Sequence, residues 1–174
     1  MKLTVIIPVY NEASTLKALL DRVLAVPLEK EVIVVDDGSD RATKALLKTA
    51  ASETASQPHN SVQLFTHVQN SGKGSAIRTA LARATGDVVI IQDADLEYFP
   101  EDYEALLATY VEKKVKAVYG VRDLSRRSTI MRLGNQAMTL ITNILFGSRL
   151  HDMETCYKLI DRRLMQSLNL ESRR

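Results

Sequence analysis

The chain has 174 residues, 45% hydrophobic and 25% charged, with a formal net charge of +2. Those proportions exclude a disordered chain and provide for one domain with a sizeable core. The single cysteine, Cys156, excludes an internal disulfide and a cysteine-rich metal site, in keeping with a reducing cytosol. The apolar stretch over 3–9 is too short for a signal peptide, and no run reaches the roughly 18 apolar residues of a membrane span. The expected setting is therefore cytoplasmic, soluble or peripheral at the cytoplasmic face of a membrane.

In chain order, Leu3-Thr4-Val5-Ile6-Ile7 reads as a strand closed by Pro8, after which Leu16, Leu19, Leu20, Val23 and Leu24 recur at helical spacing. Residues 31–35 form a second buried strand ending in Asp36-Asp37-Gly38-Ser39, and residues 43–51 a helix. A polar loop over 52–61 leads to a third strand at 62–68. The turn Asn70-Ser71-Gly72-Lys73-Gly74 then opens a helix through Ala84. The fourth strand, Val88-Val89-Ile90-Ile91, runs without polar interruption into Gln92-Asp93-Ala94-Asp95. A helix over 101–113 and a fifth strand over 117–120 follow. This βαβαβαβαβ order predicts an α/β domain with a mostly parallel sheet and helices on both faces.

Farther on, apolar residues at 130, 133, 137, 138, 140, 141, 144 and 145 keep a helical period. Such a stripe is expected to pack in the core or on a partner, which makes a homo-oligomer one outcome. The alternative is a helix lying in a membrane interface. A polar loop from His151 to Cys156 precedes a short strand at 157–160. Arginines gather in this carboxyl-terminal part, either to meet phosphate or an anionic surface or simply as a solvated face.

Every polar cluster follows a strand, and in a parallel sheet those loops share one edge. Tyr10-Asn11-Glu12, Asp36-Asp37, residues 70–73, Asp93-Ala94-Asp95 and Arg122 are thus expected around one crevice. Asp93 and Asp95, two residues apart, would repel each other unless a cation or proton intervened. Oxygen ligands alone suit Mg²⁺ or Mn²⁺ shared with substrate phosphates. A polar turn is the other reading of the same residues. The spacing G-x-x-x-x-G-K-[ST] is absent, as is G-x-G-x-x-G after the first strand, so neither a P-loop enzyme nor an ordinary dinucleotide-binding domain is supported. Lys73 fits either a phosphate contact or a flexible turn.

Pro8-Val9-Tyr10-Asn11-Glu12, Val34-Val35-Asp36-Asp37-Gly38-Ser39, Asn70-Ser71-Gly72-Lys73-Gly74 and Asp93-Ala94-Asp95-Leu96-Glu97, in this order, resemble the family-two glycosyltransferases of GT-A fold. Gly120-Val121-Arg122 and Asp152-Met153-Glu154-Thr155-Cys156-Tyr157-Lys158 are most similar to the polyprenyl- or dolichol-phosphate sugar synthases within that family. The resemblance covers nearly all of the chain. It implies one catalytic domain over 1–174, with a nucleotide-sugar-binding half at 1–95 and an acceptor half at 96–174. It also implies metal-dependent, inverting transfer of a sugar from UDP or GDP to a polyprenyl phosphate, with no nucleic-acid partner. Pro8, Tyr10, Glu12, Val35, Asp36, Asp37, Lys73, Asp93, Ala94, Asp95 and Arg122 would line the nucleotide-sugar site. Asp93, Asp95 and Glu97 would hold the Mg²⁺ or Mn²⁺, and Arg127 and Arg132 would meet the acceptor. Asp152 is the candidate general base, its other reading being an aspartate that orders its loop; Glu154 is the second candidate.

Similar enzymes continue past the position of Arg174. The resemblance therefore implies an incomplete acceptor half and a chain that binds nucleotide better than it turns over. The same residues admit two other functions. A nucleotide-sugar-binding module would bind without transfer. A sugar-phosphate nucleotidyltransferase would carry a glycine-rich basic loop in place of Pro8-Val9-Tyr10-Asn11-Glu12.

Overall fold

A computed structural model describes residues 1–54, 62–121 and 129–171, with only the backbone described at 129–131. Its first half comprises β1 (Leu3–Val9), α1 (Leu16–Ala25), β2 (Lys30–Asp36), α2 (Arg41–Thr54), β3 (Val62–Thr66), α3 (Lys73–Leu81) and β4 (Val88–Ile91). A single 3₁₀ turn at Pro100–Asp102 then leads to α4 (Tyr103–Lys113), β5 (Ala117–Tyr119), α5 (Thr129–Phe146), β6 (Lys158–Asp161) and α6 (Arg162–Ser167).

The six strands form one sheet in the order β3-β2-β1-β4-β6-β5. β1 pairs in parallel with β2 on one side and with β4 on the other, and β2 pairs in parallel with β3. Alternate residues of β1 serve opposite faces, as strand geometry requires. Leu3, Val5, Ile7 and Val9 pack with Leu16 and Leu19 of α1, Leu47 of α2 and Leu106 of α4. Ile6 packs on the other face, with Val35 of β2, Ala76 and Ala80 of α3 and Met165 of α6. The expected α/β architecture, mostly parallel and covered on both faces, is the one observed.

Two features depart from expectation. β5 does not lie beside β4, because β6 inserts antiparallel between them. Leu159 of β6 is buried, and Arg162 just beyond it donates from its backbone N and from Nε to the carbonyls of Asp87 and Gly86, fixing the strand against β4. The second departure is α5, whose apolar stripe does not pack in the core. Leu133, Ile144, Leu145 and Phe146 are exposed by 60–78%, whereas the polar Asn135 and Thr139 are buried. The cause is that the polar edge of α5 docks on the loop following it. Thr139 Oγ1 accepts from the Met153 amide at 3.2 Å, and Asn143 exchanges hydrogen bonds with Leu150 and Ser148. Among the described residues, no helix is long and apolar enough to cross a membrane.

The end of the sheet remote from the strand carboxyl termini is locked by one buried carboxylate. Glu31 faces Thr4 in the β1–β2 register. It accepts from Thr4 Oγ1, the Thr85 amide and Thr85 Oγ1, each at 2.6 Å, and from Lys2 Nζ at 2.9 Å and the Gly86 amide at 3.1 Å. Burial alone would push the Glu31 carboxyl up, but the donors from Thr4, Thr85 and Lys2 outweigh it and hold the group at about 2. A carboxyl depressed in the folded state contributes stability above its unfolded value and loses that contribution as pH falls toward the folded value. Glu31→Gln is therefore expected to lower stability at pH 7 by about 3 kcal/mol. Urea denaturation across pH 7 to 2 checks this: the gap between wild type and variant should narrow as the pH drops below the ordinary carboxyl range, and a gap independent of pH would contradict it.

Candidate active site

The direction of the crossovers reverses at β1, whose neighbours β2 and β4 lie on opposite sides. Open α/β sheets place ligands just beyond the carboxyl ends of strands at such a point. A cavity of about 330 Å³ lies there, lined by Pro8, Val9, Tyr10 and Glu12 after β1, Asp37 after β2, Asn70 and Lys73 before α3, and Asp93, Ala94 and Asp95 after β4. Its volume falls in the range of small-molecule and cofactor sites. Four of the polar clusters expected to converge thus share one cavity.

Asp37 organises the side of the cavity nearest α3. Its amide donates to the Val9 carbonyl at 2.8 Å. Its carboxylate accepts from the amides of Ser71 at 2.9 Å and Gly72 at 2.7 Å, and His67 Nδ1 lies 2.6 Å from Oδ1. Burial opposes ionisation here, but the Ser71 amide, the His67 ring and the Gly72 amide hold the carboxyl below its ordinary value. With His67 donating from Nδ1, Nε2 is left to accept from the Thr79 hydroxyl, 2.9 Å away on α3. Gly38 is required at this junction. Its φ is +76°, and a Cβ on it would stand 2.6 Å from the Asn70 nitrogen. The His67 contribution was not legible beforehand, because a lone histidine at a strand end carries no pattern.

Asp93 and Asp95 line the cavity from the end of β4. Lys73, the first residue of α3, pairs its ammonium with Asp93 Oδ1. Burial disfavours the Lys73 charge, yet the Asp93 carboxylate holds the ammonium above its ordinary value. Asp95 is exposed and accepts through Oδ1 from the Glu97 amide at 3.0 Å, across a turn in which Leu96 adopts φ +62°. Asp95 builds a turn, as one reading of this motif has it, and also lines the cavity.

Among the described residues, no cluster of three or more His, Cys, Asp or Glu side chains could hold a metal ion. The donors nevertheless fit a hard divalent cation, which commonly takes one or two protein carboxylates and completes its shell with water and substrate phosphate. The pairing of Asp93 with a lysine ammonium shows that this wall already attracts positive charge. Cys156, near the same carboxylate, supplies no thiolate, because burial and Asp93 push its thiol up to about 12.

The remaining predicted residues are placed as follows. Val35 is buried on the α3 face of the sheet and Asp36 is buried beside the cavity, where its Oδ1 accepts from the Ser39 amide at 2.8 Å. Glu97 is exposed beyond the turn and does not line the cavity. Asp152 is buried, accepts from the Glu154 amide at 3.1 Å, and so orders its loop; Glu154 is exposed. Arg132 is exposed on α5, while Arg122 and Arg127 lie outside the described residues.

The model of the family described as Glycosyl transferase family 2 matches residues 4–167. The chain is 31% identical over 169 residues to an undecaprenyl-phosphate 4-deoxy-4-formamido-L-arabinose transferase of Pectobacterium atrosepticum, with 95% of this chain and 50% of that protein covered. It is 36% identical over 155 residues to the protein of the same name from Proteus mirabilis, covering 84% and 46%. The chain thus spans about half the length of these curated relatives. Among solved structures, a Pyrobaculum calidifontis mannosyltransferase in complex with GDP-Man and Mn²⁺ superposes with a TM-score of 0.71 at 26% identity, covering 96% of this chain and 46% of that one. A Mycobacterium tuberculosis glucosyl-3-phosphoglycerate synthase in complex with Mn²⁺ and UDP-glucose gives 0.70 at 19% identity, covering 96% and 58%. The fold is that of the GT-A glycosyltransferases, as the sequence resemblance implied.

Proposed function

The chain belongs to glycosyl transferase family 2, and from that we propose that it carries the donor site of a metal-dependent, inverting glycosyltransferase that moves a sugar from UDP or GDP to a polyprenyl phosphate. The observation that carries this reading is the pairing of Lys73 with Asp93 in a cavity that Asp95, Glu12 and Tyr10 also line. The names of the curated relatives, which act on undecaprenyl phosphate, support the acceptor class.

On this reading the cavity binds a nucleoside diphosphate. The half-exposed Tyr10 ring offers a stacking surface for the base. A carboxylate has about four acceptor sites, and Asp37 has committed three of them to Ser71, Gly72 and His67. It therefore orders the wall of the base pocket and keeps about one site for the ligand. Lys73, opening α3, brings an ammonium and a helix amino terminus toward the diphosphate. Asp93 and Asp95 would hold Mg²⁺ or Mn²⁺, which offsets the charge growing on the departing diphosphate. A phosphate acceptor is already ionised at pH 7, so positioning suffices and no strong base is needed. That accords with Asp152 being buried and tied to its own loop.

The acceptor implies a membrane surface, and α5 has the character to meet one. From Ser125 to Leu150 the chain holds Arg126, Arg127, Arg132 and Arg149 and no acid. Leu133, Ile141, Ile144, Leu145 and Phe146 of the helix are exposed. An apolar face bordered by cations is what an interfacial helix presents to anionic lipid.

Two experiments test these proposals. Incubation with labelled UDP- and GDP-sugars, undecaprenyl phosphate and Mn²⁺ should give lipid-linked sugar, and Asp95→Asn should reduce the rate by about 100-fold or more. Full metal-dependent activity in that variant would sink the site, whereas donor binding without transfer would favour the binding module. In flotation with phosphatidylglycerol vesicles, the wild type should rise with the lipid and Ile141→Asp/Leu145→Asp should not. A wild type that ignores the vesicles and instead dimerises through this face would replace the lipid with a second copy of the chain.

A further inference from the structure

Gln92 breaks the pattern of the strand it ends. A strand covered on both faces calls for an apolar residue, yet position 92 carries an amide with no solvent exposure. Its backbone amide continues the ladder to the Ile6 carbonyl at 2.8 Å. Its side chain is held at both ends. Oε1 accepts from the hydroxyls of Tyr103 and Tyr157, each at 2.6 Å, and Nε2 donates to the Asp93 carbonyl at 2.9 Å. Burial raises the pKa of both phenols, so both retain their protons and remain donors.

The partners belong to separate segments. Tyr103 opens α4, and Tyr157 immediately precedes β6 at the end of the Asp152–Cys156 loop. The Tyr157 ring lies 4.8 Å from that of Tyr98 and 5.7 Å from that of Tyr103, centroid to centroid. Tyr98 Oη in turn accepts from the Cys156 amide at 2.9 Å. The turn between Asp93 and Glu97 has Leu96 in a left-handed conformation and one internal side-chain bond, from the Glu97 amide to Asp95. A residue strained in this way persists only where its surroundings determine it.

We infer that Gln92 is a positioning residue: by fixing the Asp93 peptide plane it aims the two carboxylates into the cavity, and through Tyr157 it ties that turn to the Asp152–Cys156 loop. The inference rests on the reading of Asp93 and Asp95 as the cation and diphosphate site.

The test is the triple variant Gln92→Met/Tyr103→Phe/Tyr157→Phe. Replacing the three side chains of this buried polar network with apolar groups of similar shape leaves the Asp93 carbonyl as the one group of the network without its partner, so a positioning role at that peptide separates from a structural one. Hydrogen exchange over 93–97 in the ligand-free protein should speed up by about tenfold while the melting temperature is kept. Affinity for Mn²⁺ in the presence of UDP or GDP, measured by electron paramagnetic resonance, should fall by about tenfold or more. Unchanged exchange and unchanged Mn²⁺ affinity would overturn the inference, as would an increase in exchange spread evenly over the sheet. If the triple variant fails to fold, Tyr157→Phe is read in the same way, with a smaller change confined to 93–97 and 152–157 expected. If the wild type binds Mn²⁺ with neither nucleotide, the proposed function falls, and the exchange measurement alone decides the role of Gln92.

Discussion

β1 is covered by helices on both faces and flanked by parallel strands on both sides, so it and its neighbours can place polar groups only at their ends. Burying an unpaired polar group costs more than most single contacts return. The sheet therefore sorts its chemistry by edge. At one end Glu31 ties together Thr4, Thr85, Gly86 and Lys2. At the other, Asp37, Asp93 and Asp95 face a cavity that can take a ligand. The same carboxyl chemistry thus serves stability at one edge and, on the proposed reading, binding at the other. The difference lies in what the loops bring to each: backbone amides and threonines around Glu31, open space and a lysine around Asp93.

The site edge is itself divided. Asp37 is held by three donors, from Ser71, Gly72 and His67, which makes it a fixed wall. Among the described residues Asp93 is met by one cation, the Lys73 ammonium, half of whose side chain is exposed. A carboxylate held by backbone amides has little reason to rearrange, whereas one held by a flexible lysine can exchange that partner for a metal ion and leave the ammonium for a phosphate. Lys73 thus offsets Asp93 without a ligand, while four acids, Glu12, Asp37, Asp93 and Asp95, against one lysine leave the cavity lining net negative, which a bound cation would reduce.

Much of this was legible from residue order. Apolar runs ending in Pro8, Asp36 and Asp93 located strand ends, and parallel pairing then forced their loops onto one edge. The period of α5 was legible as well, but its facing was not. A stripe identifies the side that avoids water in isolation, and here the opposite side is the one held, by Thr139 and Asn143 against the following loop. The place of β6 was hidden because a four-residue antiparallel strand has no period long enough to read and is fixed by contacts to Gly86, Asp87 and Lys116, distant in sequence. His67 and Gln92 escaped notice for the same reason. Each acts through a partner that folding alone brings near, Asp37 in one case and, in the other, the tyrosines that open α4 and precede β6.

The central claim is that the carboxyl edge at β1 and β4 is where a nucleoside diphosphate and a divalent cation meet this chain. Backbone amide resonances observed while Mn²⁺ is titrated in the presence of UDP or GDP test it directly, because paramagnetic broadening falls off steeply with distance from the ion. The account predicts that the signals of Tyr10, Gly72, Lys73 and residues 93–96 vanish first, while those of α1 and α2 on the covered face persist. Broadening centred on surface acids such as Glu53 and Glu112, with the 93–96 signals intact, would contradict it.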